Sequence, residues 1–339
     1  MAGRNTPPGF YLAEMRYNYI LFNGYDGFNM SSYNEEGYYS ICMRDLWAYD
    51  NILISNCPFD YANFPIKLCY KFSSKYHFPF NKLWFPFFYK SSFRDEKPLC
   101  FIIVGFEWPM AYLKWLKAKY PNAKFVRFTR DLISTQQSFI DKLKASGVVD
   151  YWITYDENEA KKYDMLYYPE VESKIDLGNN FKIKYDVFFA GRAKKRLSRI
   201  VEIYDVLETA GLNCFFYIMS ANPDEIAPRK GIVYSDKYLT YRQMLEYDLQ
   251  SRCLLEVNQE GAVGYTARFI EAVLYNKLLL TDNKSIISTS FYNPNFMQCF
   301  SNPSEINTDF IKNDQAVDYK YKSEFSPVHL IEYLEELLK

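Results

Sequence analysis

The sequence has few of the residues that build metal and disulfide sites. It contains only two histidines, and its seven cysteines are scattered without a C-x-x-C pair. This pattern excludes a disulfide framework and a cysteine-rich zinc site. It also makes a carboxylate the expected acid or base of any catalysis. We therefore predict no metal site and no resident cofactor.

Long apolar segments and an excess of one charge are missing as well. No segment approaches the roughly 20 apolar residues that span a bilayer, and the first residues lack a signal-peptide pattern. The 40 basic residues nearly balance the 41 acidic residues, which argues against a nucleic-acid partner. These absences predict a cytoplasmic protein in which any basic site is local.

Apolar residues, in contrast, are plentiful, because 49% of the chain is hydrophobic and 19% is aromatic. From about residue 99 onward, short apolar segments alternate with helix-length amphipathic segments, and the alternation lapses only at 170–184. The predicted strands span 99–106, 123–128, 149–154, 165–169, 185–191, 213–219, 231–235, 252–258 and 277–282, and the predicted helices include 110–119, 134–145, 196–210, 241–249, 266–275 and 327–338. Before residue 99, the segment 18–28 is predicted to be a strand followed by a glycine-bearing loop, and 51–57 to be another strand. Repeated units of this kind predict an α/β fold of two tandem, doubly wound, Rossmann-like domains.

These patterns also predict the domain limits. We expect an N-terminal domain at 1–172, a C-terminal domain at 183–325, and a closing helix at 326–339 that packs back on the first domain. Within the first domain, residues 59–93 are rich in aromatic side chains and lysines. The insertion is predicted to cover the core, and a membrane-facing surface is the alternative interpretation.

The first segment that indicates chemistry is FFAGRAKKR, at 188–196. A strand that ends in Gly191 and leads into a helix exposes backbone N–H groups where the helix dipole favours an anion. Arg192, Lys194 and Arg196 add cations there, and cations oppose the dipole at a helix start unless an anion is bound. The segment therefore predicts a diphosphate site. A solvated basic helix start is the alternative.

The second segment is EVNQEGAVGYTARFIEA, in which a strand is followed by a glycine-containing loop and a helix. Gly264 permits close approach of a ligand to the backbone, and Thr266 can cap the helix or donate to a phosphate. Arg268 and Glu271 are three residues apart and share one helical face. We predict that Arg268 contacts phosphate and that Glu271 accepts the ribose hydroxyls. An ion pair within the helix is the alternative.

These two segments, with the KLLLTDN that follows them, resemble GT-B glycosyltransferases, particularly bacterial enzymes of surface polysaccharide and lipopolysaccharide synthesis. The resemblance covers about 151–339. It implies two domains that face a central cleft, and a C-terminal domain that binds a UDP- or GDP-linked sugar donor.

Carried onto this sequence, the resemblance implies that Arg192 and Lys194 hold the diphosphate and that Glu271 holds the ribose. Many retaining members carry two glutamates eight residues apart, whereas Glu260 and Glu271 are eleven apart. Inversion and retention therefore both stay open.

The remaining candidates concern the nucleotide base and the acceptor. Tyr238 or Tyr241, in the loop after the predicted strand at 231–235, would stack on the base. Three carboxylates follow predicted N-terminal strands and are candidates for the catalytic base, namely Glu107 as first choice, Asp26 and Asp131.

We therefore predict a metal-independent glycosyltransferase that transfers a sugar to a glycan or lipid-linked glycan acceptor, with peripheral contact to the cytoplasmic membrane. The absence of a D-x-D triplet removes the metal-chelating motif expected of the single-domain GT-A class. A non-catalytic glycan- or nucleotide-binding protein and a nucleotide-sugar 2-epimerase of the same fold are the alternatives.

Overall fold

The chain folds into two compact units. The computed structural model describes residues 15–22, 42–55, 83, 85–86, 93, 95–104, 110–178, 181–259, 263–313 and 315–339. The first unit comprises Met1–Ser173 and Ser326–Lys339, and the second comprises Lys174–Phe325.

The first unit is built on a parallel sheet. Its strands are β1 (Asn18–Phe22), β2 (Ile52–Ser55), β3 (Leu99–Val104), β4 (Lys124–Thr129), β5 (Tyr151–Thr154) and β6 (Leu166–Tyr167), in the spatial order β2-β1-β3-β4-β5-β6. Its first helices are α1 (Met110–Lys119), α2 (Gln137–Ser146) and α3 (Glu157–Tyr163). Alternate residues of β3 enter two separate cores, Phe101 on one face and Ile102 on the other. Burial on both faces explains the continuous apolar run of this strand.

The second unit repeats this plan. Its strands are β7 (Tyr185–Arg192), β8 (Cys214–Met219), β9 (Ile232–Ser235), β10 (Ser251–Glu256), β11 (Leu278–Thr281) and β12 (Met297–Cys299), in the order β12-β11-β10-β7-β8-β9. Its helices are α4 (Leu197–Thr209), α5 (Tyr241–Leu249), α6 (Ala267–Leu274) and α7 (Asp309–Lys312). The chain proceeds from β7 toward one edge and then returns to continue from β10 toward the other. The position between β7 and β10 is thus a topological switch point, where α/β sheets bind ligands beyond the strand carboxyl ends.

The last helix, α8 (Pro327–Leu337), packs on the first unit. Ser326 caps it and Pro327 occupies its first turn, as expected for a helix start. Glu335 accepts hydrogen bonds from the backbone N–H of Arg16 at 3.1 Å and from the Tyr19 hydroxyl at 2.8 Å. The side chains of α8 bury an apolar face, so the helix completes one of the two cores of this unit.

The predicted α/β class, with two doubly wound parallel sheets, is confirmed. Some boundaries differ. The strand predicted at 252–258 ends at Glu256, because the N–H of Asn258 donates to the Asp282 side chain instead of continuing the sheet. Most of the aromatic-rich stretch at 59–93 lies outside the described residues, but Phe85 is buried and its ring lies 5.4 Å from that of Tyr112. In the part of the chain that the structure describes, no helix is long and apolar enough to cross a membrane.

Candidate functional site

The loop after β7 carries exposed positive charge at the switch point. Arg192 and Lys194 are both exposed. Lys194 has a φ of 45°, a left-handed conformation that is uncommon for a residue with a side chain and that concentrates at functional sites. No acidic residue occupies the short 3-10 helix at 194–196 that precedes α4. The two cations therefore lie close to the start of α4, where the helix dipole favours an anion.

The loops after β7 and β10 are neighbours. The two strands pair in parallel, with Cys253 opposite Val187, so their carboxyl ends lie at the same edge of the sheet. Arg196 joins the loops, because its guanidinium donates to the carbonyl of Val257 and, at 3.2 Å, to that of Arg192. Burial lowers the pKa of Arg196. The sequence predicts a diphosphate contact for Arg196, but the structure uses its guanidinium as a bridge between the two loops.

The start of α6 completes this edge of the sheet. Gly264 has a φ of 88°, and its N–H donates to the Ser285 hydroxyl at 2.9 Å. Thr266 caps the helix by accepting from the N–H of Phe269 at 3.2 Å, and it donates its proton to Glu256. Both predicted phosphate contacts are thus engaged within the protein. The group that can still attract an anion here is the positive end of α6, because the first N–H groups of a helix have no intrahelical acceptor.

Arg268 lies between two buried carboxylates. Its Nη1 atom is 2.5 Å from Oδ1 of Asp248 and 3.0 Å from Oε2 of Glu271, and neither carboxylate side chain is exposed. The guanidinium carbon lies 5.6 Å from the ring centre of Phe188. The predicted phosphate contact of Arg268 is therefore replaced by a buried ion cluster. The oxygens of Glu271 accept no hydrogen bond from the described protein atoms, an arrangement that donors from a ligand would relieve.

Burial also controls the protonation of this cluster. It raises the pKa of Glu271 to about 8, although the Arg268 charge opposes the shift. It raises the pKa of Asp248 to about 6, again against Arg268. Burial lowers the pKa of the neighbouring Lys277 ammonium to about 8. Near neutral pH the Glu271 carboxyl is therefore mainly protonated.

This protonation predicts that stability falls as the pH rises from about 6 to about 8. In that range the unfolded Glu271, with a pKa near 4.5, has lost its proton while the folded carboxyl still holds one. One such proton contributes up to about 1.4 kcal/mol per pH unit. Glu271→Gln cannot ionise and should flatten this slope in urea-unfolding midpoints. Glu246→Gln, on the partly exposed face of α5, should keep the wild-type slope; a wild-type slope in Glu271→Gln would contradict the assignment.

The two tyrosines predicted near the base have opposite environments. Tyr238 is 61% exposed, and the guanidinium carbon of Arg192 lies 5.5 Å from its ring centre. Tyr241 is only 3% exposed, as the first residue of α5. A base can stack only on an accessible ring, so Tyr238 remains the candidate and Tyr241 is part of the core.

A groove of about 1000 Å³ follows the outer face of α4, and it begins beside the same basic loop. Lys194 and Lys195 line one part of it, but its lining also includes three carboxylates, those of Glu202, Asp205 and Glu225. Its carboxylates would repel a diphosphate. The edge formed by the β7 and β10 loops is thus the better anion site.

Of the three predicted catalytic bases, Asp131 is the one that the structure describes. Asp131 is exposed, two residues beyond β4 at the carboxyl edge of the first sheet. Asp26 and Glu107 lie outside the described residues, as does Glu260. In sequence, Asp26 and Glu107 follow β1 and β3, adjacent strands at the switch point of the first sheet. No group of three His, Cys, Asp or Glu side chains that could hold a metal ion occurs among the residues with described positions.

Several residues of the site escape sequence reasoning. Asp248, Asn283 and Ser285 contact α6 or the loop before it from other elements, and Thr281 donates to Glu256. The sequence indicates these residues only in that Asn283 and Ser285 come directly after the predicted strand at 277–282. Their partners are set by which strands become neighbours.

Comparison with known proteins finds similar solved structures and no similar sequences. No protein-family profile and no curated protein sequence matches the chain. A mutant of S. aureus TarM in complex with fondaparinux, alpha-GlcNAc-glycerol and UDP is similar over 70% of this chain and 55% of that chain, with 13% identity and a TM-score of 0.48. The chain thus spans about half the length of that protein.

For two further solved structures, the similarity extends over a larger share of the solved chain. A glycosyltransferase from Rickettsia africae ESF-5 is similar over 95% of this chain and 99% of that chain, with 13% identity and a TM-score of 0.45. The catalytic domain of starch synthase IV from Arabidopsis thaliana, bound to ADP and acarbose, is similar over 70% and 72%, with 9% identity and a TM-score of 0.42.

Proposed function

We propose that the chain is a glycosyltransferase of GT-B architecture that takes its sugar from a nucleotide-sugar donor bound by the second unit. The observation that carries the proposal is the adjacency of two anion-favouring loops at the switch point between β7 and β10, joined by Arg196. The exposed pair of Arg192 and Tyr238 supplies a cation and an aromatic ring at the same edge. A nucleoside diphosphate needs both groups.

The proposed roles of Arg192, Lys194 and Tyr238 follow from the exposure of their side chains. Arg192 and Lys194 contact the diphosphate together with the start of α6, and Tyr238 stacks on the base. The Glu271 carboxyl accepts the ribose hydroxyls once neighbouring side chains move to expose it. Because protein cations and the helix dipole would neutralise the departing diphosphate, we propose that transfer needs no metal ion.

The acceptor part of the proposal rests on the sequence resemblance. We propose a glycan or a lipid-linked glycan of a surface polysaccharide as the acceptor, and a lipid-linked acceptor implies peripheral contact with a membrane. Asp131 is the described candidate for the base that removes the acceptor proton, beside Glu107 and Asp26.

The donor proposal predicts that Arg192→Ala lowers affinity for a nucleoside diphosphate by about tenfold to a hundredfold. A hydrogen bond between charged groups contributes about 1.5–3 kcal/mol, and each 1.4 kcal/mol is tenfold in affinity. Titration calorimetry with UDP, GDP and ADP, each compared with its nucleoside, measures the effect. Arg242→Ala, which removes an exposed arginine paired with Glu246 on α5, is the matched control.

The outcomes separate the candidate functions. Wild-type protein that binds no nucleoside diphosphate more tightly than the corresponding nucleoside would contradict the donor site. Release of sugar from a nucleotide-sugar, assayed with and without EDTA, establishes turnover. Tight binding without turnover or transfer would instead support the non-catalytic alternative.

A further inference from the structure

The segment after β11 reaches across to the loop that leads into α6. Asn283 is 3% exposed and caps the short 3-10 helix at 284–288, where its Oδ1 accepts from the N–H of Ser285 at 3.2 Å. Its own N–H donates to the Thr281 hydroxyl at 2.9 Å. The amide side chain is therefore held in one orientation before it makes any contact with the neighbouring loop.

Asn283 and Ser285 bind both peptide groups of Gly264. The Gly264 N–H donates to the Ser285 hydroxyl at 2.9 Å, and the Asn283 Nδ2 donates to the Gly264 carbonyl at 2.9 Å. The Ser285 hydroxyl donates to Oδ1 of Asn283 at 2.6 Å, which closes a ring of three hydrogen bonds. Each side chain in such a ring orients the other. The turn at Gly264 is thus fixed by residues about twenty positions later in the chain.

A second set of bonds holds the next part of the same loop. Glu256, at the end of β10, accepts from the hydroxyls of Thr266 and Thr281. Thr266 is the cap of α6 and lies two residues beyond Gly264. The direction of the first turn of α6 is therefore determined from both β10 and β11. Small displacements of such a turn weaken anion binding, because the N–H groups must point at the phosphate oxygens.

We propose that Asn283 and Ser285 are positioning residues, which hold the Gly264 turn and the start of α6 in the geometry that binds the donor diphosphate. The inference rests on the proposed function, because it concerns the same site. Neither side chain needs to touch the ligand. Their effect reaches the diphosphate through the backbone of 264–267.

The test compares a nucleoside diphosphate with its nucleoside. The probe is whichever of UDP, GDP and ADP the wild-type protein binds most tightly, together with the matching nucleoside. Asn283→Ala and Ser285→Ala should each weaken diphosphate binding by about tenfold, the size of one charged hydrogen bond lost or misaligned, and leave nucleoside binding unchanged. The double variant should also lose about tenfold rather than a hundredfold, because either substitution opens the ring.

Two further variants separate positioning from general stability. Ser285→Thr retains the hydroxyl and should restore diphosphate affinity to within about twofold of the wild type, a residual well below one hydrogen bond. Asn213→Ala removes an amide hydrogen bond at the opposite edge of the sheet, to the carbonyl of Lys184, and should leave the affinity ratio unchanged even if the melting temperature falls. Circular dichroism confirms folding of each variant.

Three results would contradict the inference, and each has a different consequence for the proposed function. If the wild type binds a nucleoside diphosphate and the Asn283 and Ser285 variants keep its preference over the nucleoside, the positioning role is wrong and the donor site stands. If both ligands weaken equally, the two residues only stabilise the fold, and the inference is also wrong. A wild type that binds no nucleoside diphosphate would overturn the proposed function and this inference together.

Discussion

Replacing Arg268 with alanine should reduce the free energy of unfolding by about 3–5 kcal/mol, the cost of breaking a buried ion pair by removing one partner. The guanidinium lies between Asp248 and Glu271, whose side chains are completely buried. Without it, the pKa values of both carboxyls would rise further, so the enclosed site must either keep a carboxylate without its partner or take up a proton from solvent. Urea unfolding followed by circular dichroism at pH 7 measures the loss.

The matched control is Arg242→Ala, whose partner Glu246 is partly exposed; we expect a cost below about 1 kcal/mol. A variant that also carries Asp248→Asn and Glu271→Gln should recover part of the stability lost in Arg268→Ala, because it leaves no unpaired buried charge. A loss of less than about 1 kcal/mol for Arg268→Ala alone would show that the two carboxyls are accommodated without the arginine.

In the first unit, Arg130→Ala should be similarly destabilising, by about 3–5 kcal/mol. Arg130 pairs with Glu170, and the two side chains are only 4% and 6% exposed. Its guanidinium also donates to the Cys42 sulfur at 3.0 Å and to the Val171 carbonyl at 3.1 Å. Burial already raises the pKa of Glu170 against the opposing Arg130 charge. Removal of the guanidinium should therefore raise the pKa of Glu170 further, because the Arg130 charge is what lowers it.

Thermal and urea unfolding measure this loss, and two comparisons define its origin. Arg130→Lys retains the charge but lacks the planar guanidinium that donates to several acceptors at once. It should therefore be more stable than Arg130→Ala but less stable than the wild type. Lys161→Ala removes an exposed partner of Glu157 and should change stability by less than about 0.5 kcal/mol. Full stability in Arg130→Lys would mean that charge alone, without the fork geometry, is sufficient.

The most regular parts of the fold were predictable from local pattern. The helices α1 (Met110–Lys119) and α5 (Tyr241–Leu249) have the bounds that the sequence predicts. Pro121 follows the first, and Thr240 and Gln243 form a capping box at the second. Such end signals are contained in a few consecutive residues. The three-residue strand β12 (Met297–Cys299) was missed, because it is too short to show a period of its own.

The candidate site was only partly predictable, because accessibility is not a local property. The sequence selects the loops that contain Arg192, Arg196 and Thr266. It does not show that Arg196 bonds to Val257, 61 residues away, or that Thr266 bonds to Glu256. Side chains of the same type in one motif therefore take different roles, with Arg192 exposed and Arg196 bridging two loops.

The amino-acid pattern by itself determined that this chain alternates buried strands with amphipathic helices and carries two glycine-containing loops with cations. The tertiary structure decided which of those groups face outward. The sheet order places β7 beside β10 and β11 beyond it, out of chain sequence. This order brings Asp248 to Arg268 and Asn283 to Gly264. Hydrogen bonds and burial depend on neighbours in space, and parallel strand order fixes those neighbours only after long crossover connections have formed.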